Sequence, residues 1–226
     1  MWIAEVFASI QGEGQFAGTR SAFVRTSGCN LRCWFCDTPE TSWRPRGDHR
    51  EWEGLVEQIA DLECEHVVVT GGEPMLQPGV VPLTRALRER GHVVTIETAG
   101  TVDADVSADL MSISPKLSNS TPVDDSAWAI RHDAIRDAPR VIERFVDDFA
   151  YQLKFVVDRP VDVLEVESYV ERLEAAEPDH VWLMPQAVTT AQIAERAEWI
   201  REAAESRGWR VSPRLHIELW GNRPGT

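Results

Sequence analysis

The sequence lacks the features that would direct a chain into or across a membrane. None of its apolar runs approaches the roughly 20 residues that a membrane-spanning helix needs. The chain begins Met-Trp-Ile-Ala-Glu-Val, without a basic segment followed by an apolar stretch. We therefore expect neither a membrane span nor a signal peptide, and we expect the protein to reside in the cytoplasm.

Positive charge is also scarce. The 226 residues include 23 lysines and arginines against 37 aspartates and glutamates, so the formal net charge is −14 at pH 7. A surface of this sign repels the phosphates of nucleic acids and of anionic lipids. The composition therefore argues against nucleic-acid and membrane partners, and we interpret the acidity as a source of solubility.

Cysteine is rare, and its distribution is uneven. Three of the four cysteines, Cys29, Cys33 and Cys36, stand within eight residues in the spacing C-x3-C-x2-C. In a reducing compartment, such a cluster indicates metal or redox chemistry rather than disulfide bonds. The fourth, Cys64, stands alone between a predicted helix and a buried strand, and we expect it to be a small apolar core residue.

Short apolar runs alternate with segments of helical spacing along most of the chain. Strands are predicted for residues 21–26, 66–70, 92–97, 109–114, 152–157 and 180–185. Helices are predicted for residues 51–64, 79–90, 165–176 and 189–207. Residues 119–150 are the least regular, and we expect a helix or a lid near 138–149.

This alternation favours a parallel sheet with right-handed crossovers. About six or seven strand–helix units fit the chain, fewer than the eight of a closed barrel. We therefore predict an α/β fold in which residues 1–226 form a single domain, an open, partial β/α barrel with parallel strands. In such sheets, ligands bind at the carboxyl ends of the strands.

Three thiolates this close together can surround one soft metal centre. A structural zinc site or a fully ligated [4Fe–4S] cluster would need a fourth ligand, and no fourth cysteine lies near in the sequence. Three cysteines on a four-iron cluster leave one iron open to a small molecule with amine and carboxylate groups. The alternatives are zinc completed by a histidine such as His49, and a redox dithiol at Cys33 and Cys36.

Polar residues follow several predicted strands. The turn TGGEP at residues 70–74 lets the backbone approach a ligand closely, and Glu73 offers a carboxylate for an ammonium group. A later strand ends at Ser114 and Lys116, where the lysine can pair with a carboxylate. Another strand ends at Gln186, whose amide can both donate and accept hydrogen bonds.

The cysteine spacing, followed by Gly-Gly-Glu-Pro after the next strand, resembles the signature of the radical S-adenosylmethionine (SAM) superfamily. The resemblance implies that Cys29, Cys33 and Cys36 hold a [4Fe–4S] cluster, which reduces SAM to methionine and a 5′-deoxyadenosyl radical. It further implies that SAM is bound by Gly72, Glu73, Ser114, Lys116 and Gln186, with the glycine turn at the amino group of SAM.

Three more motifs resemble one family in this superfamily, the 7-carboxy-7-deazaguanine synthases: IQGEG at 10–14, CDT at 36–38 and LHIELWGN at 215–222. The similarity covers nearly the whole chain except residues 119–150. It implies a Mg²⁺-dependent ring contraction of 6-carboxy-5,6,7,8-tetrahydropterin with loss of ammonia, in which SAM is regenerated. It also implies a homodimer and an electron donor such as flavodoxin or ferredoxin.

The family resemblance gives roles to the remaining polar residues. Thr38 would bind Mg²⁺ through a hard hydroxyl oxygen, with Asp37 in support. The pterin would be bound by Ile10, Gln11, Gly12, Glu13, Arg25, Thr70, Glu97, His216 and Thr226. Among these, Glu13 would accept from ring donors, Arg25 would neutralise a carboxylate, and Thr226 would use the C-terminal carboxylate. Ala99 stands where the family often has asparagine.

Two other functions are compatible with the cysteine motif. Glycyl-radical activating enzymes share its spacing, but they need a groove for a protein partner and often carry extra cluster cysteines, which Cys64 alone does not supply. A zinc-stabilised binding module without catalysis would yield a colourless protein that contains zinc, whereas a radical enzyme would be brown and contain iron and sulfide.

Overall fold

Buried apolar runs of the sequence form most strands of one mixed sheet in the computed structural model, which describes residues 1–223 and residue 225; the two-residue strands are exposed. The strands are β1 (Trp2–Ile10), β2 (Arg20–Thr26), β3 (Asp48–His49), β4 (His66–Gly71), β5 (Val93–Thr98), β6 (Leu110–Ile113), β7 (Tyr151–Val157), β8 (Val181–Pro185) and β9 (Arg210–Val211). The helices are α1 (Trp52–Ala60), α2 (Val80–Glu89), α3 (Ser126–Arg136), α4 (Pro139–Asp148), α5 (Asp162–Glu171), α6 (Thr190–Glu205) and α7 (Leu215–Trp220).

The sheet is open and mostly parallel. Its strand order is β3-β1-β2-β4-β5-β6-β7-β8-β9, and every pairing from β2 to β9 is parallel. The predicted partial β/α barrel is thereby confirmed. The exceptions to the predicted parallel arrangement are β1 and β3, which pair antiparallel at one edge. Strand β1 has no regular alternation of buried and exposed residues, so its sequence gave no period-2 signal.

The helices cover the sheet with narrow apolar stripes. In α2, Val80, Leu83, Thr84 and Leu87 are fully buried at helical spacing, and Gly91 follows the helix with a positive φ of 86°. Thr189 caps α6, since its hydroxyl accepts a hydrogen bond from the Gln192 N–H at 3.3 Å. Among the described residues, no helix is both long and apolar enough to cross a bilayer.

Residues 119–150 contain two helices rather than one. Helix α4 lies where a helix or lid was expected, and it buries Ile142, Phe145 and Val146. Helix α3 was not predicted, because the residue it buries is the polar His132 and it has no apolar stripe. Both helices precede β7 in the chain, and the buried residues of α4 belong to the main apolar core.

Phe145 provides a test of the role of α4 in the core. Its side chain is 0% exposed, so Phe145→Ala should lower the free energy of unfolding of the cluster-free protein by about 3–5 kcal/mol through lost burial and a cavity. Ile130→Ala in α3 is the control, because Ile130 is 75% exposed and its loss should change that free energy by less than about 0.5 kcal/mol. Urea unfolding measures the free energy of unfolding of both variants. Similar losses in the two would contradict the placement of Phe145 in the core and of Ile130 on the surface.

Candidate active site

The carboxyl ends of the parallel strands open into two adjoining cavities. The first, the cysteine cavity, is lined by Cys29, Cys33, Cys36, Gly72, Ser114, Lys116 and Gln186, among others. The second, the polar cavity, is lined by Ile10, Gln11, Gly12, Arg25 and His216, among others. Both are lined by Glu13, Asp37, Thr38, Thr70, Gly71 and Glu97. Residues that are far apart in the sequence therefore line two adjacent cavities.

The three clustered cysteines are free thiols in the wall of the cysteine cavity. Burial raises the pKa of Cys29 to about 11 and that of Cys33 to about 12, and burial also raises the pKa of Cys36. Without a cation, these thiols would stay protonated at neutral pH. A bound metal centre supplies the positive charge that stabilises thiolates, so the donor set fits a thiolate-bound metal.

The spacing of the sulfur atoms fits a cluster better than a single ion. Zinc holds its ligands at about 2.3 Å in a tetrahedron, which puts thiolate sulfurs about 3.8 Å apart. The three Sγ atoms do not all lie within 4.8 Å of one another. His49, the candidate zinc ligand, lies on edge strand β3, where its Nε2 is 3.4 Å from the Met1 amino group. The zinc alternative is therefore disfavoured.

Cys64 is separate from this site. Its side chain is buried, and its Sγ lies 3.4 Å from the carbonyl oxygen of Leu62, to which it donates. It belongs to the main apolar core, in agreement with its expected structural role.

The glycine turn is packed directly against the base of the cysteine loop. Gly71 adopts a φ of 127°, and the Gly72 N–H donates to the Thr26 carbonyl oxygen at 3.0 Å. A Cβ on Gly72 would overlap the Gly28 carbonyl group and lie 2.7 Å from the Thr41 carbonyl oxygen. Only glycine fits such a close backbone approach, and this contact fixes where the cysteine loop leaves the sheet.

Glu73 points into the protein instead of the cavity. Its carboxylate is fully buried and accepts hydrogen bonds from the Thr98 hydroxyl at 2.8 Å and from the backbone N–H groups of Ala99 and Met75 at 2.9 and 3.1 Å. Burial raises the pKa of this carboxyl group. Its expected contact with an ammonium group stays a prediction, and Gly72 is the motif residue that lines the cavity. Ala99 contributes a backbone group here, which alanine and asparagine share.

The other expected SAM-binding residues, Ser114, Lys116 and Gln186, also line the cysteine cavity. The Lys116 ammonium group donates to the Ser114 hydroxyl at 2.6 Å. The Gln186 side chain is mostly buried at the end of β8. These residues present one cation, one hydroxyl and one amide to the cavity.

A buried ion-pair network lies where the two cavities meet. The Lys154 ammonium group is 2.7 Å from the Glu13 carboxylate and 3.6 Å from that of Glu97. Burial alone would raise the pKa of Glu13, but the charges of Lys154 and Arg214 outweigh it and hold this pKa far below its usual range. Burial alone would lower the pKa of Lys154, but the two glutamates raise it. Glu13 and Lys154 are therefore both charged at neutral pH.

Arg214 connects three motif-bearing segments. Its Nε lies 3.4 Å from the Glu13 carboxylate, its Nη2 donates to Asp37 at 2.9 Å, and its Nη1 donates to the Ala187 carbonyl oxygen at 2.6 Å. The sequence analysis missed both Lys154 and Arg214. A lysine inside the buried run QLKFVV was a signal for the first, since lysine is almost never buried unless paired; Arg214 had no comparable signal.

Gln11 and Glu97, two of the residues expected to bind the pterin, are hydrogen-bonded to one another. The Gln11 side-chain NH₂ group donates to Glu97 at 3.1 Å, and the Thr70 hydroxyl donates to the other oxygen of Glu97 at 2.9 Å. Arg25 is held by Glu5 through its Nε at 2.6 Å. Its guanidinium fork, which lines the polar cavity, retains other donors for a ligand.

The C-terminal motif docks on the N-terminal motif. The Leu215 N–H donates to the Gly12 carbonyl oxygen at 3.0 Å, and a Cβ on Gly12 would overlap the His216 ring. The Nε2 of His216 thereby lies 4.0 Å from Glu13. Thr226, the remaining residue expected to bind the pterin, lies outside the described residues.

Glu13, Asp37 and His216 bring three potential metal-ligating atoms within 4.8 Å of one another. The Arg214 guanidinium already pairs with both carboxylates, so a protein cation occupies part of this group's capacity to bind a metal. Thr38, the expected Mg²⁺ ligand, lines both cavities and has its Oγ1 3.9 Å from the Cys36 sulfur. Its hydroxyl is placed at the junction between the cavities.

An open β/α barrel with a C-x3-C-x2-C loop at the carboxyl ends of its strands defines the radical SAM class, and residues 23–114 match the Radical SAM superfamily model. The chain is 45% identical to the 7-carboxy-7-deazaguanine synthase of Rhodopirellula baltica, with 99% of this chain and 88% of the relative covered. It is 43% identical to the enzyme of that name from Halobacterium salinarum, with coverages of 99% and 92%. The chain belongs to the 7-carboxy-7-deazaguanine synthase family.

A solved structure supports the same relationship. The crystal structure of QueE from Escherichia coli matches with a TM-score of 0.73 and 26% sequence identity, and the match covers 93% of this chain and 92% of that one. The likeness therefore covers nearly the whole of both chains.

The buried ion pair makes a prediction about stability. Lys154→Met removes the cation between Glu13 and Glu97, and we expect the free energy of unfolding of the cluster-free protein to fall by about 3–5 kcal/mol because buried carboxylates lose their partner. Adding Glu13→Gln to Lys154→Met should recover part of this loss. Urea unfolding of the two single variants and the double variant gives the coupling, and strictly additive losses would show that the pair does not interact.

Proposed function

We propose that the protein is a 7-carboxy-7-deazaguanine synthase, which converts 6-carboxy-5,6,7,8-tetrahydropterin to 7-carboxy-7-deazaguanine with loss of ammonia. The observation that carries this proposal is that the two cavities adjoin. Glu13, Thr38, Thr70 and Glu97 line both of them. A substrate in the polar cavity would therefore lie next to the groups held in the cysteine cavity.

The cofactors of this radical SAM lyase are a [4Fe–4S] cluster, SAM and Mg²⁺. When bound, the cluster and SAM supply a carbon-centred radical that takes a hydrogen atom from the substrate. Cys29, Cys33 and Cys36 would hold the cluster and leave one iron for SAM. Ser114, Lys116 and Gln186 would bind SAM, because the lysine cation complements a carboxylate and the neutral polar groups suit a ribose or an adenine.

The polar cavity has the groups needed for a carboxylated pterin. An ionised carboxylate accepts up to about four hydrogen bonds, so Glu13 can face the ring N–H and NH₂ donors while it remains paired with Lys154 and Arg214. Glu97 and Gln11 would complete this polar edge, with Ile10, Gly12 and His216 beside it. Arg25 would neutralise the substrate carboxylate, and we retain Thr226 as a proposed ligand through its terminal carboxylate.

Mg²⁺ would bind at the junction of the cavities. This ion keeps several waters and takes few protein ligands, which fits a single hydroxyl such as that of Thr38 together with the substrate carboxylate. Asp37 is paired with Arg214 at 2.9 Å, so its negative charge would support the ion from nearby rather than bind it.

The comparisons do not favour a glycyl-radical activating enzyme, and the sulfur spacing disfavours a zinc module. The radical reaction requires a small-molecule substrate and a reductant. We propose flavodoxin or ferredoxin as that reductant, a homodimer as the assembly, and the cytoplasm as the location, since a reducing compartment keeps the cluster thiols free.

An anaerobic assay tests the proposal. After cluster reconstitution, the protein should convert 6-carboxytetrahydropterin to a product with the mass of 7-carboxy-7-deazaguanine in the presence of reductant, SAM and Mg²⁺. Cys33→Ala should lose the cluster and the activity together, because one iron loses its ligand. Cys64→Ala is the matched control, and it should keep its iron. Full activity of Cys33→Ala without iron would overturn the radical mechanism.

Thr38 is tested through the Mg²⁺ dependence of the same assay. Thr38→Ala should raise the Mg²⁺ concentration needed for half-maximal activity by about tenfold or more, the range seen when a metal site loses a supporting group. Iron and sulfide contents should stay unchanged. Thr38→Ser keeps the hydroxyl and should retain the wild-type response, whereas an unchanged response of Thr38→Ala would remove Thr38 from the metal site.

A further inference from the structure

The loop at residues 29–36 contains no helix or strand, so its backbone N–H groups need other partners. Two are satisfied within the loop: Leu31 donates to the Cys29 sulfur at 3.4 Å, and Cys36 donates to the Cys33 carbonyl oxygen at 3.3 Å. The N–H groups of Arg32 and Trp34 are satisfied from outside. Their partners lie in the segment around α3, whose function the sequence did not reveal.

His132 of α3 is the partner of the Arg32 N–H, which donates to its Nδ1 at 3.1 Å. An amide N–H can only donate, so Nδ1 must be the unprotonated nitrogen, and the ring proton lies on Nε2. Nε2 is 2.8 Å from the Ser120 hydroxyl, which in turn donates to the Leu117 carbonyl oxygen at 2.6 Å. The hydrogen bonds from Arg32 to Leu117 therefore have one consistent direction.

The burial of His132 agrees with this arrangement. Its side chain is 0% exposed, and burial lowers its pKa to about 4, so the ring is neutral at physiological pH. It is the buried residue of α3, whose other side chains are at least partly exposed. The helix therefore places an oriented acceptor, rather than an apolar stripe, against the cysteine loop.

Other contacts hold the same stretch of the loop. The Trp34 N–H donates to the Ser120 carbonyl oxygen at 3.2 Å, and the Trp34 indole N–H donates to the Asn119 carbonyl oxygen at 2.6 Å. The Arg32 guanidinium lies 4.1 Å from the centre of the Trp128 ring. These contacts flank Cys33 on both sides.

We propose that His132 is a positioning residue for the iron–sulfur cluster: its Nδ1 accepts the Arg32 N–H and so holds the loop between Cys29 and Cys33 in its cluster-binding conformation before iron arrives. This inference rests on the proposed function in that the three cysteines hold the cluster. A loop fixed in advance loses less conformational entropy when it binds its metal, which favours retention of the cluster.

Two substitutions separate the roles of the two ring nitrogens. His132→Asn places an amide oxygen close to the position of Nδ1 and can still accept from Arg32. His132→Gln places its amide close to Nε2, so it can still contact Ser120 but leaves the Arg32 N–H without an acceptor. Both replace the ring with a smaller neutral amide, and His132→Asn leaves the larger void, so a loss of packing alone would impair His132→Asn more, which is the opposite of the expected order.

Hydrogen exchange of the Arg32 amide in the cluster-free, full-length chain reports the hydrogen bond directly. We expect wild-type protein and His132→Asn to protect it, and His132→Gln to exchange about fivefold faster or more, as the loss of one neutral hydrogen bond implies. After anaerobic reconstitution, His132→Gln should contain less iron and sulfide and lose its cluster absorbance faster than His132→Asn. Thermal unfolding of the cluster-free variants provides the packing control.

Equal exchange and equal cluster retention in His132→Asn and His132→Gln would overturn the inference, whether both match the wild type or both are equally impaired. Greater impairment of His132→Asn would also overturn it. If wild-type protein bound no iron, the proposed function would fail, whereas the exchange of the Arg32 amide would still decide whether His132 orders the loop.

Discussion

Glu13 and Lys154 meet 2.7 Å apart where water hardly reaches, and two buried charges are stable there only as a pair. Glu13 follows β1, and Lys154 lies in β7, five positions further along the sheet. Neighbouring strands are about 4.8 Å apart, so a flat sheet would separate these positions by roughly 24 Å. The ion pair therefore depends on the curvature of the sheet. It connects the segment after β1 to β7 at the end of the open barrel where the ligands bind.

The same pair organises the charges around it. Glu97 shares the Lys154 ammonium group, and Arg214 extends the network from Glu13 to Asp37 beside the cysteine loop. Three carboxylates thus face two cations. Their remaining oxygen lone pairs can accept from a ligand edge rich in N–H donors, which is a feature of the proposed pterin. One electrostatic network thereby connects the substrate side of the site with the cluster side.

The cluster side is built differently, from irregular backbone held by its neighbours. Gly72 permits the backbone of the glycine turn to touch the base of the cysteine loop, and His132 with Ser120 binds the loop further along. Cys29 and Cys33, whose pKa values are raised by burial, lie in the part of the loop between these contacts. The loop therefore needs no regular secondary structure to hold its cysteines in position, because contacts from α3 and from the end of β4 support its backbone.

The sequence by itself determined the parallel strands, most of the helices and the cysteine motif, because these depend on local periodicity and on spacing within a few residues. It also predicted which strand ends would be polar, and the structure brings those ends to two adjoining cavities. Only the tertiary structure decided the antiparallel edge strand β1, the docking of α3 through His132, the inward direction of Glu73, and the roles of Lys154 and Arg214. Glu13 and Lys154 are 141 residues apart, and no local pattern records that a charge will be buried beside a partner so distant in the chain. Their pairing exists only because the sheet curves and removes both from water.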